Sequence, residues 1–85
     1  LQKLARFITQ QNDEAIALLV ANNEDKLQFV AARGNQQTHS MKEISAVVLP
    51  LMNGKGGGND ALVQGGGEKI VSAEALLDAM KKVIQ

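Results

Sequence analysis

The stretch Gly54-Lys55-Gly56-Gly57-Gly58-Asn59-Asp60-Ala61-Leu62-Val63-Gln64-Gly65-Gly66-Gly67 holds seven of the eight glycines in this chain of 85 residues. Glycine loses more backbone entropy on folding than any other residue, so a small domain gains nothing by accumulating it. Its value lies in unusual backbone conformations and in close approach of the backbone to another group. The two glycine clusters, residues 54–58 and 65–67, therefore mark either a tight crossing within the fold or a surface where a partner meets bare peptide groups.

Apolar residues at three-and-four spacing predict three helices outside this stretch. The first covers residues 1–12, and because the chain opens on Leu rather than Met, we expect it to continue into an upstream region of a longer protein. The second begins after Ser40, which forms a capping-box pattern with Glu43 three residues later. Pro50 should kink its last turn, and Ser72 is the predicted N-cap of the third helix. The apolar faces of the first and third helices are Leu1, Leu4, Ala5 and Ile8, and Ala73, Leu76, Leu77, Met80, Val83 and Ile84.

Short apolar runs predict three strands. Residues 15–21 and 27–32 flank a polar turn and read as an antiparallel hairpin. Residues 61–64 form a short third strand between the glycine clusters, which are both expected to be loops. The connection through the central helix is long enough for a right-handed parallel crossover. The predicted fold is a single α/β domain over residues 1–85, with a three-stranded mixed sheet covered by helices in the order α-β-β-α-β-α.

The composition restricts the classes of partner and site. Nine basic residues balance nine acidic ones, so any nucleic-acid binding must come from a local patch of positive charge. Two phenylalanines are the whole aromatic content, too few for a base-stacking platform. Cysteine is absent, which excludes disulfides and thiolate metal sites, and the apolar runs are too short to span a membrane. We expect a cytoplasmic domain without membrane contact.

The residues needed for catalysis are missing from the sequence. His39 is the only histidine, and one imidazole without cysteine cannot supply the three or four ligands that zinc prefers. Glu43 reads as a capping residue before it reads as a general base. A nucleophile, base and orienting group cannot be assembled without a second histidine or a cysteine. We predict no catalytic residue, no metal ligand and no cofactor in this chain.

The glycine clusters fit neither of two familiar phosphate-binding motifs. A Walker loop needs Ser or Thr after its lysine, but Gly56 follows Lys55. The pattern Gly56-x-Gly58-x-x-Ala61 matches a dinucleotide fingerprint but follows a helix instead of opening one. The second cluster lies between a strand and a helix, where its N–H groups and Lys69 could hold an anion. With Lys55, the two loops would suit a phosphate or a ribose-phosphate backbone. The residues alone leave this reading and a purely structural crossing equally open.

The run Leu51-Met52-Asn53-Gly54-Lys55-Gly56-Gly57-Gly58, followed after six residues including Gln64 by Gly65-Gly66-Gly67, resembles the signature of the DHH-associated domain. Its form is similar to the one that ends alanyl-tRNA synthetases and alanyl-tRNA editing proteins. The likeness extends to residues 29–34 and 41–51 and covers most of residues 15–85. Synthetases typically continue the first cluster with Arg-Pro-Asp, whereas Asn59-Asp60-Ala61 stands here, closer to the editing proteins.

The resemblance implies a non-catalytic carboxy-terminal module that helps hold tRNA, here alanine tRNA, near its outer corner. The editing reaction, hydrolysis of serine or glycine mischarged onto alanine tRNA, would belong to an upstream domain, where zinc is expected. Independently of the resemblance, Arg33, Lys42, Lys55 and Lys69 would share one basic rim if the loop ends face the same way, and otherwise are separate solvated side chains. The residues predicted to bind RNA or phosphate are Arg33, Gly54, Lys55, Gly56, Gly57, Gly58, Asn59, Gln64, Gly65, Gly66, Gly67 and Lys69.

Two other functions remain open at this level. The chain could be an oligomerisation module that forms a homodimer through residues 1–12, with Leu1, Leu4 and Ile8 joining a partner's helix. It could also be the substrate-binding half of a DHH-type phosphoesterase, with the glycine loops holding a nucleotide phosphate and an Asp-His-His metal domain upstream.

Overall fold

The computed structural model describes the backbone of residues 2–84 and the side chains of residues 3–84. The predicted contribution of Leu1 to the first helix lies outside these residues. Within them, the chain forms three helices and four strands. In chain order these are α1 (Gln2–Gln11), β1 (Ile16–Asn23), β2 (Lys26–Arg33), α2 (Met41–Leu51), β3 (Lys55–Gly58), β4 (Leu62–Glu68) and α3 (Ala73–Val83).

The strands form one sheet in the order β1-β2-β4-β3, in which all neighbouring strands are antiparallel. The predicted three-stranded mixed sheet is therefore wrong. The first glycine cluster is not a loop but forms β3, and the second lies inside β4, which continues to Glu68. Glycine has a low strand propensity, which is overridden here by strand pairing: β3 pairs with β4, and β4 pairs with β3 on one side and with β2 on the other.

The predicted parallel crossover is also corrected by the sheet topology. The strand that contains residues 62–64 is β4, and it runs antiparallel to β2. Since β3 is antiparallel to β4 as well, β2 and β3 run in the same direction, but β4 lies between them. The helix α2 thus connects β2 and β3, which are parallel but not neighbours. The strand β4 lies between them and pairs with both.

The predicted hairpin is confirmed, with a tighter turn than expected. Its register runs from Ile16 opposite Arg33 to Asn23 opposite Lys26. Only Glu24 and Asp25 remain in the turn, and Glu24 has a positive φ of 54°, which lies in the left-handed region.

The two faces of the sheet are covered unequally. On one face, α2 and α3 pack over a core of fully buried side chains: Leu27, Phe29, Ala31, Met41, Ile44, Val48, Met52, Val63, Leu76 and Met80. On the other face, α1 lies over β1 and β2 above a smaller cluster of Ala5, Ala17, Val30 and Ala32. The part of this second face that β4 and β3 contribute lies beyond α1, and it is exposed at Lys55, Gly57 and Gln64.

The helix ends explain where the chain turns. Ser72 caps α3 as predicted, its Oγ accepting a bond from the Ala75 N–H at 3.1 Å. The capping box predicted for α2 is wrong, because Ser40 makes no capping bond and its hydroxyl instead donates to Asp60 Oδ1 at 2.8 Å. Pro50 lies in the last turn of α2, and Asn53 ends the helix with a φ of 47°.

Candidate functional site

The exposed part of the sheet face beside α1 forms a shallow groove of about 490 Å³. Side chains that are opposite each other in an antiparallel sheet point to the same face, so the register identifies the groove positions. They form two rows across β2, β4 and β3. The first row is Gln28, Gly66 and Lys55, and the second is Val30, Gln64 and Gly57.

Most of the glycines here are required by packing within the fold. A Cβ on Gly67 would overlap the Met52 carbonyl oxygen, and one on Gly65 would lie 2.9 Å from Cε1 of Phe29. Both positions face the main core. At these two positions the glycines are therefore needed for a tight crossing within the fold, one of the two roles that the sequence left open.

Gly57 differs from the other strand glycines. A Cβ added at this position would have no neighbour within 4 Å, and its φ lies outside the left-handed region. The fold thus has room for a side chain at Gly57, on the groove face opposite Gln64. Its glycine keeps the peptide plane bare at the edge of the sheet, where another molecule can approach it closely.

Two of the predicted cations lie at the same end of the sheet. Lys55 is opposite Gly66 at the start of β3, and Lys69 directly follows β4, where its N–H donates to the Asp25 carbonyl at 2.8 Å. Lys26, which the sequence analysis missed, starts β2 at this end and is opposite Glu68. Three carboxylates lie at the same end, those of Glu24, Asp25 and Glu68, so this end of the groove offers cations without an excess of positive charge.

Arg33 lies at the opposite end of β2, five residues beyond Gln28 and about 16 Å along the strand. Its guanidinium is held by backbone carbonyls: Nε donates to Asp60 at 3.0 Å and Nη1 to Gln37 at 2.7 Å. Lys42 is at this end too, because the Met41 N–H donates to the Asp60 carbonyl. The structure therefore does not bring Arg33 and Lys42 together with Lys55 and Lys69 in one rim.

Asn59 stabilises the turn between β3 and β4. Its Oδ1 accepts bonds from the N–H groups of Ala61 at 2.9 Å and Leu62 at 3.0 Å. The side chain is thus engaged in forming the tight turn that brings β4 back beside β3.

Gln28 and Val30 are groove residues that the sequence analysis did not find. Their signal was present, because alternate positions of a strand share a face and Gln28 interrupts the apolar run of residues 27–32. Which face would be open could not be inferred, since that depends on where α1 ends over the sheet.

Residues 3–84 contain no group of three or more His, Cys, Asp or Glu side chains that could hold a metal ion. Among the described helices, none is long and apolar enough to cross a bilayer.

A second surface of note is on α1. Leu4 is 51% exposed and Phe7 is 59% exposed, on the helix that the sequence analysis associated with a partner. Ala5 and Thr9, on the inner side of the same helix, are buried.

The sequence of the chain is similar to part of several alanyl-tRNA synthetases. The chain is 34% identical over 76 residues to the alanine–tRNA ligase of Francisella tularensis subsp. tularensis (strain WY96-3418), covering 87% of this chain. It is 35% identical over 83 residues to that of Mycoplasma mobile, covering 96% of this chain. In both cases it spans 9% of the relative's length. No family model matches the chain.

The fold has a close counterpart among solved structures. The crystal structure of the C-Ala domain from Aquifex aeolicus alanyl-tRNA synthetase superimposes with a TM-score of 0.85 and 25% identity, covering 98% of this chain and 77% of that one. The chain is thus homologous to the C-terminal C-Ala region of alanyl-tRNA synthetase. This homology supports a non-catalytic accessory domain.

Proposed function

We propose, from its homology to the C-Ala domain, that this chain is the tRNA-binding accessory domain of a longer cytoplasmic protein, an alanine–tRNA ligase or a related alanyl-tRNA editing protein. The observation that carries the proposal is the likeness to C-Ala over nearly the whole chain. The expected ligand is alanine tRNA. Since the likeness covers about a tenth of each relative's length, the activity of the longer protein is part of the proposal.

The proposed RNA surface is the groove together with the end of the sheet that carries Lys55 and Lys69. Lys55 and Lys69 would neutralise phosphates, while Gly57 lets the backbone approach closely. Arg33 and Asn59 would act by holding the adjoining turns. The remaining residues of the proposed surface would either contact RNA or support the residues that do. They are Gly54, Gly56, Gly58, Gln64, Gly65, Gly66 and Gly67.

The assignment to the DHH-associated type, and an editing role for the longer protein, are finer parts of the proposal. They rest on the glycine-lysine signature and on Asn59-Asp60-Ala61 after the first cluster. Zinc would then be held by residues elsewhere in that protein, since one histidine without cysteine is too few ligands for a zinc site.

A titration of alanine tRNA against the chain tests the proposal. Affinity should fall between about 50 mM and 200 mM salt, because phosphate contacts release counterions. Replacing both Lys55 and Lys69 with Ala should weaken binding and lower the slope of log affinity against log salt by about 1.5. The control is Lys82→Ala, an exposed lysine of the last turn of α3, which should leave both quantities unchanged.

Absence of tRNA binding at the lower salt concentration would contradict the proposed function. Binding that is insensitive to salt, or equally weakened by Lys82→Ala, would contradict the assigned phosphate contacts while leaving tRNA binding in place.

A homodimer through α1 is the second candidate, and the exposure of Leu4 and Phe7 favours it. If these side chains form the contact, Leu4→Gln with Phe7→Gln should convert a dimer to a monomer in sedimentation or light scattering. Val47→Gln, at a 43% exposed position on α2, is the matched control. A monomeric parent chain at high concentration would exclude this candidate. Point substitution is preferable to removing residues 1–12, since α1 covers Val30 and Ala32.

A further inference from the structure

Apart from Lys55 at the end of its first row, the groove is lined by uncharged residues. Its lining is Gln28, Phe29, Val30, Gly56, Gly57, Gln64, Gly65 and Gly66, and the lysines described above lie at its end. Neutral side chains cannot neutralise phosphate, so the cations account for positioning of a nucleic acid at the rim but not for what occupies the groove. A different kind of contact is needed there.

The side-chain amides of Gln28 and Gln64 are exposed in the groove and can make hydrogen bonds with an uncharged group. Gln28 is opposite Gly66, and Gln64 is opposite Val30, so the two glutamines are diagonal neighbours on adjacent strands. Side chains so placed have Cα atoms about 7–8 Å apart. Among the described residues, neither amide is hydrogen-bonded to another side chain or to the backbone. Both are therefore available to a ligand.

The space around the amides fits a flat polar group. Gly66 is next to Gln28 in the first row and Gly57 is next to Gln64 in the second, so each amide has a neighbouring position without a side chain. The rows are about 7 Å apart and three strands span about 10 Å, dimensions similar to one nucleoside. Lys55 ends the first row, where the phosphate of such a nucleoside could lie.

The chemistry of an amide selects among the groups of a nucleotide. A glutamine side chain both donates and accepts hydrogen bonds, whereas a phosphate only accepts. The ribose 2′-hydroxyl and the edges of the bases both donate and accept, and the 2′-hydroxyl is the group that distinguishes RNA from DNA.

We propose that Gln28 and Gln64 bind the ribose 2′-hydroxyl and base edge of one ribonucleotide in this groove, which makes them the residues that select RNA at the site. The inference rests on the proposed function, because it assumes that RNA reaches this face. In this arrangement the neutral groove selects RNA over DNA, and the lysines at its end give the salt-dependent part of the affinity.

A two-by-two comparison tests the assignment. The chain and its Gln28→Leu, Gln64→Leu double variant are each titrated with alanine tRNA that carries either 2′-hydroxyl or 2′-O-methyl groups. The methyl group removes the hydroxyl's donor and keeps the phosphates. We expect about a fivefold loss of affinity on methylation with the unsubstituted chain, as the loss of the one hydrogen bond donated by the hydroxyl would give, and less than about a twofold loss with the double variant.

The comparison separates the contact from changes in RNA shape, because a shape change weakens both proteins alike. An equal factor of loss with the two proteins overturns the assignment, and so does a double variant that binds unmodified tRNA as tightly as the parent. Binding of neither tRNA by the unsubstituted chain overturns the proposed function together with it.

Separate controls test the folding of the double variant and the contribution of the Lys55 charge. Both glutamines are exposed, so thermal unfolding of the double variant should match that of the parent. Should the leucines lower solubility, Gln28→Ser with Gln64→Ser serves the same comparison with the same expected result. Lys55→Ala should weaken binding of the two tRNAs by one common factor. A larger effect on the unmodified tRNA would assign selection to the lysine and overturn the proposal.

Discussion

At the scale of single residues, the fold requires some glycines of the two clusters but has room for a side chain at Gly57. Gly65 and Gly67 face the main core, where an added Cβ would press on Phe29 or on the Met52 carbonyl. Gly57 faces open space on the groove side. Packing thus accounts for Gly65 and Gly67, and we propose close approach of RNA as the reason for glycine at position 57. Stability and binding measurements can separate these two causes.

Gly67→Ala should destabilise the domain by about 2 kcal/mol or more, because the carbonyl it meets belongs to the backbone and cannot move aside. Gly57→Ala should leave stability unchanged or raise it by up to about 1 kcal/mol, since alanine restricts the unfolded chain. Urea denaturation followed by circular dichroism measures both. Similar losses for the two variants would contradict the division.

Arg33 is a second residue whose role is clearer from its contacts than from its charge. Its guanidinium joins the loop that follows β2 to the turn before β4, through the carbonyls of Gln37 and Asp60. A lysine could not make both bonds with the same geometry, because it lacks the planar fork of donors.

At the scale of elements, the starts of α2 and α3 show two different uses of serine. Ser72 satisfies an N–H group of its own helix, while Ser40 reaches across to Asp60, in the turn between β3 and β4. The same sequence signal, Ser before an apolar helix, thus stabilises a helix in one case and links two distant segments in the other.

Ser72→Ala should cost about 1 kcal/mol of stability, the usual effect of losing an N-cap bond. Ser40→Ala should cost less, because its hydroxyl forms an exposed bond with a side chain and caps nothing. Thermal unfolding of the two variants under the same conditions gives the comparison. A greater loss for Ser40→Ala would mean that its link to Asp60 stabilises the domain more than a helix cap does.

At the scale of the whole molecule, the main core and the proposed binding groove lie on opposite faces of one sheet. The face under α2 and α3 holds the large buried side chains. On the other face, α1 covers only the part formed by β1 and β2, where the buried residues are alanines and Val30. The uncovered remainder is the groove. A small domain of this size can leave part of a sheet bare because its main core lies on the other side.

Ile44→Ala should therefore cost about 2–5 kcal/mol, as for a fully buried side chain. That is a large share of the total for a domain of this length, at roughly 0.1 kcal/mol per residue. Ile8→Ala on α1 should cost less, since Ile8 is only partly buried. Urea midpoints of the two variants test this, and equal losses would show that both faces contribute alike.

Much of the secondary structure follows from local patterns. Three-and-four spacing identifies the three helices, two apolar runs around a polar turn identify the hairpin, and Ser72 identifies the start of α3. The glycine-lysine signature likewise indicates the C-terminal region of alanyl-tRNA synthetase, to which the chain is homologous. These features are readable because each arises from residues close together in the chain.

The strands of the glycine clusters and the groove could not be read in the same way. Glycine has no side chain to reveal an alternating pattern, so β3 and the second half of β4 exist through pairing with partners distant in sequence. The groove combines Gln28, Gln64 and Gly57, which only the register across three strands places side by side. Long-range pairing thus turned two expected loops into a sheet face, and its bare part is the surface to which the proposed function is assigned.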